Sequence, residues 1–218
     1  MKTLIAGAGR LGTQIAQVLA AAGNDVTVVE ADANRVDALQ GQLAVRLILG
    51  DACEPACLDQ AGAHTADLVI AATGEDEDNL VISLLAKRQC AAPRVVARVN
   101  DSENAWLFDQ RWGVDIAVPA ATPLISLIEE ATGATDTVAL LRLSKAGVDI
   151  IETVITTHSR AVGKPLSDIP LPDGTVVATV IRDGRPTVPG PAVRLQPGDE
   201  LLLVSHSATE QEIHSAFQ

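Results

Sequence analysis

Residues 7–12 read Gly-Ala-Gly-Arg-Leu-Gly, directly behind the apolar run Lys2–Ala6 and directly ahead of an alanine-rich stretch that begins at Arg10. A strand that turns within a few residues into a helix leaves few folds open. Gly7 permits the tight turn, Gly9 lets a pyrophosphate approach the backbone, and Gly12 lets helix and strand pack closely. The next apolar run, DVTVVE, ends in an acid at Glu30. Strand, glycine-rich turn, helix, strand and terminal acid in that order form a dinucleotide-binding fingerprint, far more informative than the glycines alone.

The pattern continues as alternation. Apolar runs within AVRLILGDA, ADLVIAAT, RVVARVN and VDIAVP read as four further strands. Between them lie helical segments: DANRVDALQ with Asp32 as N-cap, CEPACLDQAG with Pro55 in its first turn, and GEDEDNLVISLLAKRQC with an acidic start and a basic end. SENAWLFDQRWG and TPLISLIEEATG also read as helices. The strands are continuous apolar runs, as a sheet covered on both faces requires. The expected fold class is α/β: a Rossmann-like, doubly wound parallel sheet over residues 1–133.

The texture changes after residue 133. ATDT reads as a linker, and residues 137–218 are strand-rich: TVALLRLS, DIIETVIT, TVVATVIRDGRPTV and DELLLVS, with a closing helix TEQEIHSAF. Seven of the 11 prolines fall in this half. A second, smaller α+β domain is expected, of a size that gains from a partner to complete its core. The absence of tyrosine agrees: aromatics are 2%, so the cores must be aliphatic.

Ligand-binding residues are expected at the glycine-rich turn and at the C-terminal ends of the strands, where an open α/β sheet forms its crevice. The candidates are Gly7, Ala8, Gly9, Arg10, Leu11 and Gly12; Glu30; Asp51 and Ala52; Thr73 and Gly74; and Arg98. Glu30 would accept hydrogen bonds from ribose hydroxyls and repel a 2′-phosphate. Arg10 and Arg98 offer fixed positive charge and a fork suited to phosphate oxygens. Asp51 has an equally good reading as a helix N-cap. The ligand is therefore an adenine nucleotide, NAD/NADH or ATP/ADP.

No catalytic residue is assigned. None of the four histidines falls at a strand end of the first half, and no nucleophile motif or acid–base pair is visible. A small NAD-dependent oxidoreductase is the alternative, but it lacks a candidate proton donor. The acidic run Glu75–Asp78 reads as a helix start, and Cys53, Cys57 and Cys90 read as structural thiols, so no metal is expected. The low, odd cysteine count suits a reducing compartment. A net charge of −12 without basic runs argues against nucleic acid. No apolar run reaches the ~20 residues of a membrane span. Trp106, Phe108 and Trp112 concentrate on one short segment, and Leu124, Ile125, Leu127 and Ile128 form an apolar stripe; both are candidate subunit contacts.

Taken in order, GAGRLG, VVE, GDACEPACLDQAGAHTADLVIAATGEDEDNL, ARVN and GVDIAVP strongly resemble the N-terminal RCK or KTN domain of Trk/Ktr-type potassium-uptake regulators. The stretch from Ser159 to Ser205, with VGKPL, IRDG and PGDEL, is similar to the C-terminal RCK domain. The resemblance covers nearly the whole chain. It implies a cytoplasmic homo-oligomer, dimers assembling into a ring, peripheral at the inner face of the plasma membrane. The ring would dock on a membrane potassium-translocating subunit without inserting in the membrane itself. Nucleotide exchange would reshape the ring and gate uptake. It further implies that Arg10 and Arg98 lie near the terminal phosphate and that Glu30 holds ribose. Some members bind cyclic di-AMP in the C-terminal domain, which makes that a candidate ligand there. Ala120 stands where some relatives carry an acid that helps hold an intersubunit cation, so that cation is not carried over.

Overall fold

A computed structural model of the chain describes residues 1–143 and 147–218. They form two compact units, Met1–Ala121 and Thr122–Gln218.

In the first unit six strands form one parallel sheet: β1 (Lys2–Ala6), β2 (Asp25–Glu30), β3 (Arg46–Leu49), β4 (Leu68–Ala71), β5 (Val95–Val99) and β6 (Ile116–Pro119). Their order across the sheet is β3-β2-β1-β4-β5-β6, with Ala6 pairing with Val29 on one side and Ala71 on the other. The direction of winding reverses between β1 and β4, which opens a crevice beyond their C-terminal ends. Four helices make the crossovers: α1 (Arg10–Ala21), α2 (Ala33–Leu39), α3 (Pro55–Ala61) and α4 (Asp76–Arg88). Two aliphatic cores cover the sheet, one including Leu4, Leu58, Val69, Ile82 and Val95, the other Ile5, Ala16, Val28 and Ile70. The continuous apolar runs of the central strands β1, β2, β4 and β5 thus reflect burial on both faces, while the edge strands β3 and β6 are more exposed.

Residues 102–112 differ from expectation. The helix read over SENAWLFDQRWG is two short 3-10 turns, Ser102–Leu107 and Gln110–Trp112. Asp101 and Asp109 each accept a hydrogen bond from the backbone N–H two residues on, so each starts its own turn. Phe108 is buried between them, whereas Trp106 is 72% exposed.

The second unit holds an antiparallel sheet ordered β10-β9-β11-β8-β7, made of β7 (Thr137–Leu143), β8 (Val148–Val154), β9 (Thr175–Arg182), β10 (Arg185–Thr187) and β11 (Glu200–Ser205). Ser144, with which the sequence reading ends the first of these strands, lies outside the described residues. Helix α6 (Glu210–Phe217) starts with a capping box between Thr209 and Glu212 and closes the core with Ile213 and Phe217 against Ile151, Leu201 and Leu203. Helix α5 (Thr122–Thr132) groups with this unit rather than with the first, where the sequence division at residue 133 put it. It packs against β7, and its apolar stripe Leu124, Ile125, Leu127 and Ile128 is exposed in the single chain.

Candidate functional site

The crevice at the β1/β4 reversal is a cavity of about 280 Å³. The glycine-rich turn forms one wall. Gly7 has φ +98, a left-handed conformation, and a Cβ there would meet the Ala72 carbonyl at 3.0 Å. Its N–H donates to the Val29 carbonyl at 2.8 Å. Gly12 faces the reverse problem: a Cβ would sit 2.0 Å from the Gly7 carbonyl oxygen, so only glycine lets α1 approach the turn. Gly9 caps α1 without a side-chain hydrogen bond. The first-turn N–H groups of α1 are the kind of donors that receive phosphate oxygens.

Glu30 ends β2 beside this turn. Its Oε2 accepts from the Ala8 N–H at 2.7 Å and its Oε1 from the Asp32 N–H at 3.0 Å. Arg35, on α2, brings Nη1 to 3.9 Å from the same Oε2. A carboxylate has about four acceptor sites, so Glu30 retains capacity for ribose hydroxyls while bracing the turn.

The far wall comes from β4 and β5. Asn79, fully buried on α4, accepts from the Thr73 N–H at 2.9 Å and donates to the Arg98 carbonyl at 3.1 Å. It thereby fixes the two strand ends to each other. Arg98 lines the crevice, and its Nε is buried without a hydrogen-bond partner. Below it, Asp76 accepts from the Asn100 N–H at 2.7 Å, the Asp101 N–H at 3.0 Å and the Asn104 amide at 2.9 Å. Burial opposes the Asp76 charge, but these hydrogen bonds outweigh it and hold the carboxyl below its ordinary value. Within the Glu75–Asp78 run, Asp76 therefore acts as a tether as well as part of the helix start.

Of the candidate residues, Gly7, Gly9, Glu30, Asp51, Ala52, Thr73, Gly74 and Arg98 line one crevice. Ala8, Arg10, Leu11 and Gly12 do not: Ala8 and Gly12 are buried behind the turn, Leu11 is half-buried, and Arg10 is exposed. Asp51 is not the cap of α3, which is Glu54; its Oδ1 accepts from the Cys53 N–H at 2.8 Å. Sequence reasoning missed Arg35, Cys53 and Asp78, which also line the crevice. Arg35 had a readable signal, since it sits in the first turn of the helix that follows the acid at the end of β2. Burial, then the charges of Asp78 and Asp51, push the Cys53 thiol up to about 12, which disfavours its thiolate.

No described helix is long and apolar enough to cross a membrane. The TrkA-N domain family model matches residues 3–120 and the TrkA-C domain model residues 150–218. The "Trk system potassium uptake protein TrkA" of Mycobacterium tuberculosis is 40% identical over 213 residues, covering 98% of this chain and 96% of that protein. The "Trk system potassium uptake protein TrkA homolog" of Archaeoglobus fulgidus is 31% identical over 223 residues; this chain spans half its length. Among solved structures, a "GsuK channel bound to NAD" superposes with a TM-score of 0.60 at 19% identity, over 98% of this chain and 38% of that one.

Proposed function

The chain belongs to the TrkA family of Trk system potassium uptake proteins, and on that premise we propose that it is a cytoplasmic, nucleotide-sensing regulatory subunit that gates a membrane potassium-translocating subunit. The observation that carries this is Arg98. Arg98 lines the crevice together with the glycine-rich turn, and its buried Nε lacks a partner. A buried donor without an acceptor is costly, and a phosphate oxygen is the acceptor the crevice is shaped to admit.

The ligand is an adenine nucleotide. Glu30 takes the ribose hydroxyls, the N-terminus of α1 takes phosphate, Asp51 and Ala52 face the adenosine end, and Arg98 faces the terminal phosphate or second nucleotide. Arg35 adds a second cation on the Glu30 side. Whether the exchange is ATP against ADP or NADH against NAD, gating needs only that the two ligands differ in affinity for two assembly states. Structural neighbours of the same fold are bound to NAD in one case and to ADP in another, which supports a nucleotide without favouring either pair.

The nucleotide-binding domain is the unit Met1–Ala121, and the regulatory domain lies in the unit Thr122–Gln218, which includes α5. The subunit assembles as dimers in a ring, and the exposed α5 stripe supports a subunit contact there. Cyclic di-AMP is a candidate second ligand of the regulatory domain. The subunit acts by binding rather than by chemistry of its own: its relatives are potassium uptake proteins, and burial and neighbouring acids hold the crevice's Cys53 thiol up to about 12. Calorimetry of ATP, ADP, NAD and NADH on the chain, with potassium flux through the reconstituted system, tests this reading. Absence of adenine-nucleotide binding would remove it.

A further inference from the structure

Three donor groups that the nucleotide site does not use converge at the opposite end of the strands of the first sheet. Asp59 lies in the last turn of α3, His64 in the 3-10 turn Ala63–Thr65 that follows, and Cys90 just beyond α4. These segments lead into β4 and β5, so the cluster sits where the strands begin, whereas the crevice sits where they end.

We propose that Asp59, His64 and Cys90 form a binding site for a thiophilic divalent cation, with Zn²⁺ the best match. One carboxylate oxygen, one imidazole nitrogen and the thiol sulfur all lie within 4.8 Å of one another. His64 Nε2 is already 2.8 Å from Asp59 Oδ1. Zinc bonds of about 2.0–2.3 Å in a tetrahedron place ligand atoms roughly 3.3–3.8 Å apart, so side-chain rotation alone closes the site. Asp59 and His64 are exposed and free to make that adjustment; Cys90 is 4% exposed and fixed.

The donor set decides the ion. Thiolate and imidazole select zinc and its transition-metal neighbours, while magnesium and calcium require oxygen shells. Three protein ligands with exposed partners leave the fourth position to water or to an added ligand. The turn is built to bring His64 back over α3: Gly62 takes a left-handed conformation at φ +81 as the α3 C-cap, and the Thr65 N–H and hydroxyl both return to its carbonyl. Counting ligands along the sequence missed the set because Cys90 is far from the other two and no short-spaced motif joins them. An occupied site would tie the end of α3 to the junction between α4 and β5.

The test is titration of Co²⁺ into the reduced, metal-free full chain. The expected result is one equivalent bound, with a thiolate-to-cobalt charge-transfer band in the near ultraviolet and the strong visible bands of tetrahedral cobalt, all displaced by Zn²⁺. The band persists in the Cys53→Ser/Cys57→Ser double variant and vanishes in Cys90→Ser. Because Cys90 is a core position, His64→Ala and Asp59→Asn supply the second arm: both are surface changes that leave nucleotide binding intact, and each weakens cobalt by about tenfold or more. Absence of a thiolate band, a band that survives Cys90→Ser, or an affinity unmoved by His64→Ala overturns the proposal.

Discussion

The backbone N–H of Ala8 donates to Glu30 Oε2 at 2.7 Å, tying the glycine-rich turn to the end of the second strand. The acid thus has two tasks: it shapes the turn and it presents acceptors to the crevice. Glu30→Ala removes both. Nucleotide affinity is expected to fall by more than tenfold, the order of a charge-assisted hydrogen bond, and the ligand-free protein to melt earlier. A variant with full stability and lost affinity would show that the brace is unimportant; unchanged affinity would remove Glu30 from the site.

Arg98 and Arg10 separate by position. Arg98 lines the crevice with an unpartnered Nε, while Arg10 is exposed at the start of α1. Arg98→Ala should weaken ATP and ADP by about tenfold to a hundredfold. Arg10→Ala should cost less, and more for ATP than for NAD. Titration calorimetry on both variants checks the order; a larger loss at Arg10 would move the phosphate to the outer side of the turn.

Two buried carboxylates set the acid limit. Asp76 is held by Asn100, Asp101 and Asn104, and Asp199 by the Arg182 fork at 2.6 and 2.7 Å. Burial opposes both charges, but the hydrogen bonds prevail and both carboxyls titrate below the ordinary 3.8. A depressed folded value stabilises the charged form. The contribution is therefore complete above the unfolded value and is lost as pH falls through the folded one. Thermal melts should hold steady above about pH 5 and decline below about pH 4. Asp76→Asn should flatten that decline; an unchanged acid profile would assign it to other groups.

Phe217 is fully buried among Ile151, Leu201, Leu203 and Ile213 at the end of α6. Phe217→Ala should destabilise the second unit by about 3–5 kcal/mol, read as a shifted denaturant midpoint. Nucleotide affinity should stay the same, because the crevice is built entirely from residues of the first unit.

The sheet was legible because its central strands β1, β2, β4 and β5 are largely buried on both faces and therefore written as unbroken apolar runs, with the edge strands β3 and β6 more exposed. The six segments from KTLIA to VDIAVP carry no competing signal. Residues 102–112 were not, because an apolar spacing like that of Trp106, Phe108 and Trp112 does not reveal that Asp101 and Asp109 each start a separate turn. At the site, Gly7, Glu30 and Thr73 were placed by the rule that ligands sit beyond strand ends. Asp78 was not, since it reaches the crevice from a helix, and a helical side chain's direction depends on how the helix docks. The exposure of Arg10 follows the same logic: the turn's position was readable, but not the outward course of a side chain at the first helical residue.

The central claim is that the crevice between Gly7 and Arg98 binds an adenine nucleotide and that binding is the output. Its most direct measurement is competitive titration calorimetry of ATP, ADP, NAD and NADH, followed with Arg98→Ala. The account predicts one mutually exclusive nucleotide per chain, with affinity reduced in the variant. Heat-silent titrations with all four nucleotides, or equal affinity in Arg98→Ala, would contradict it.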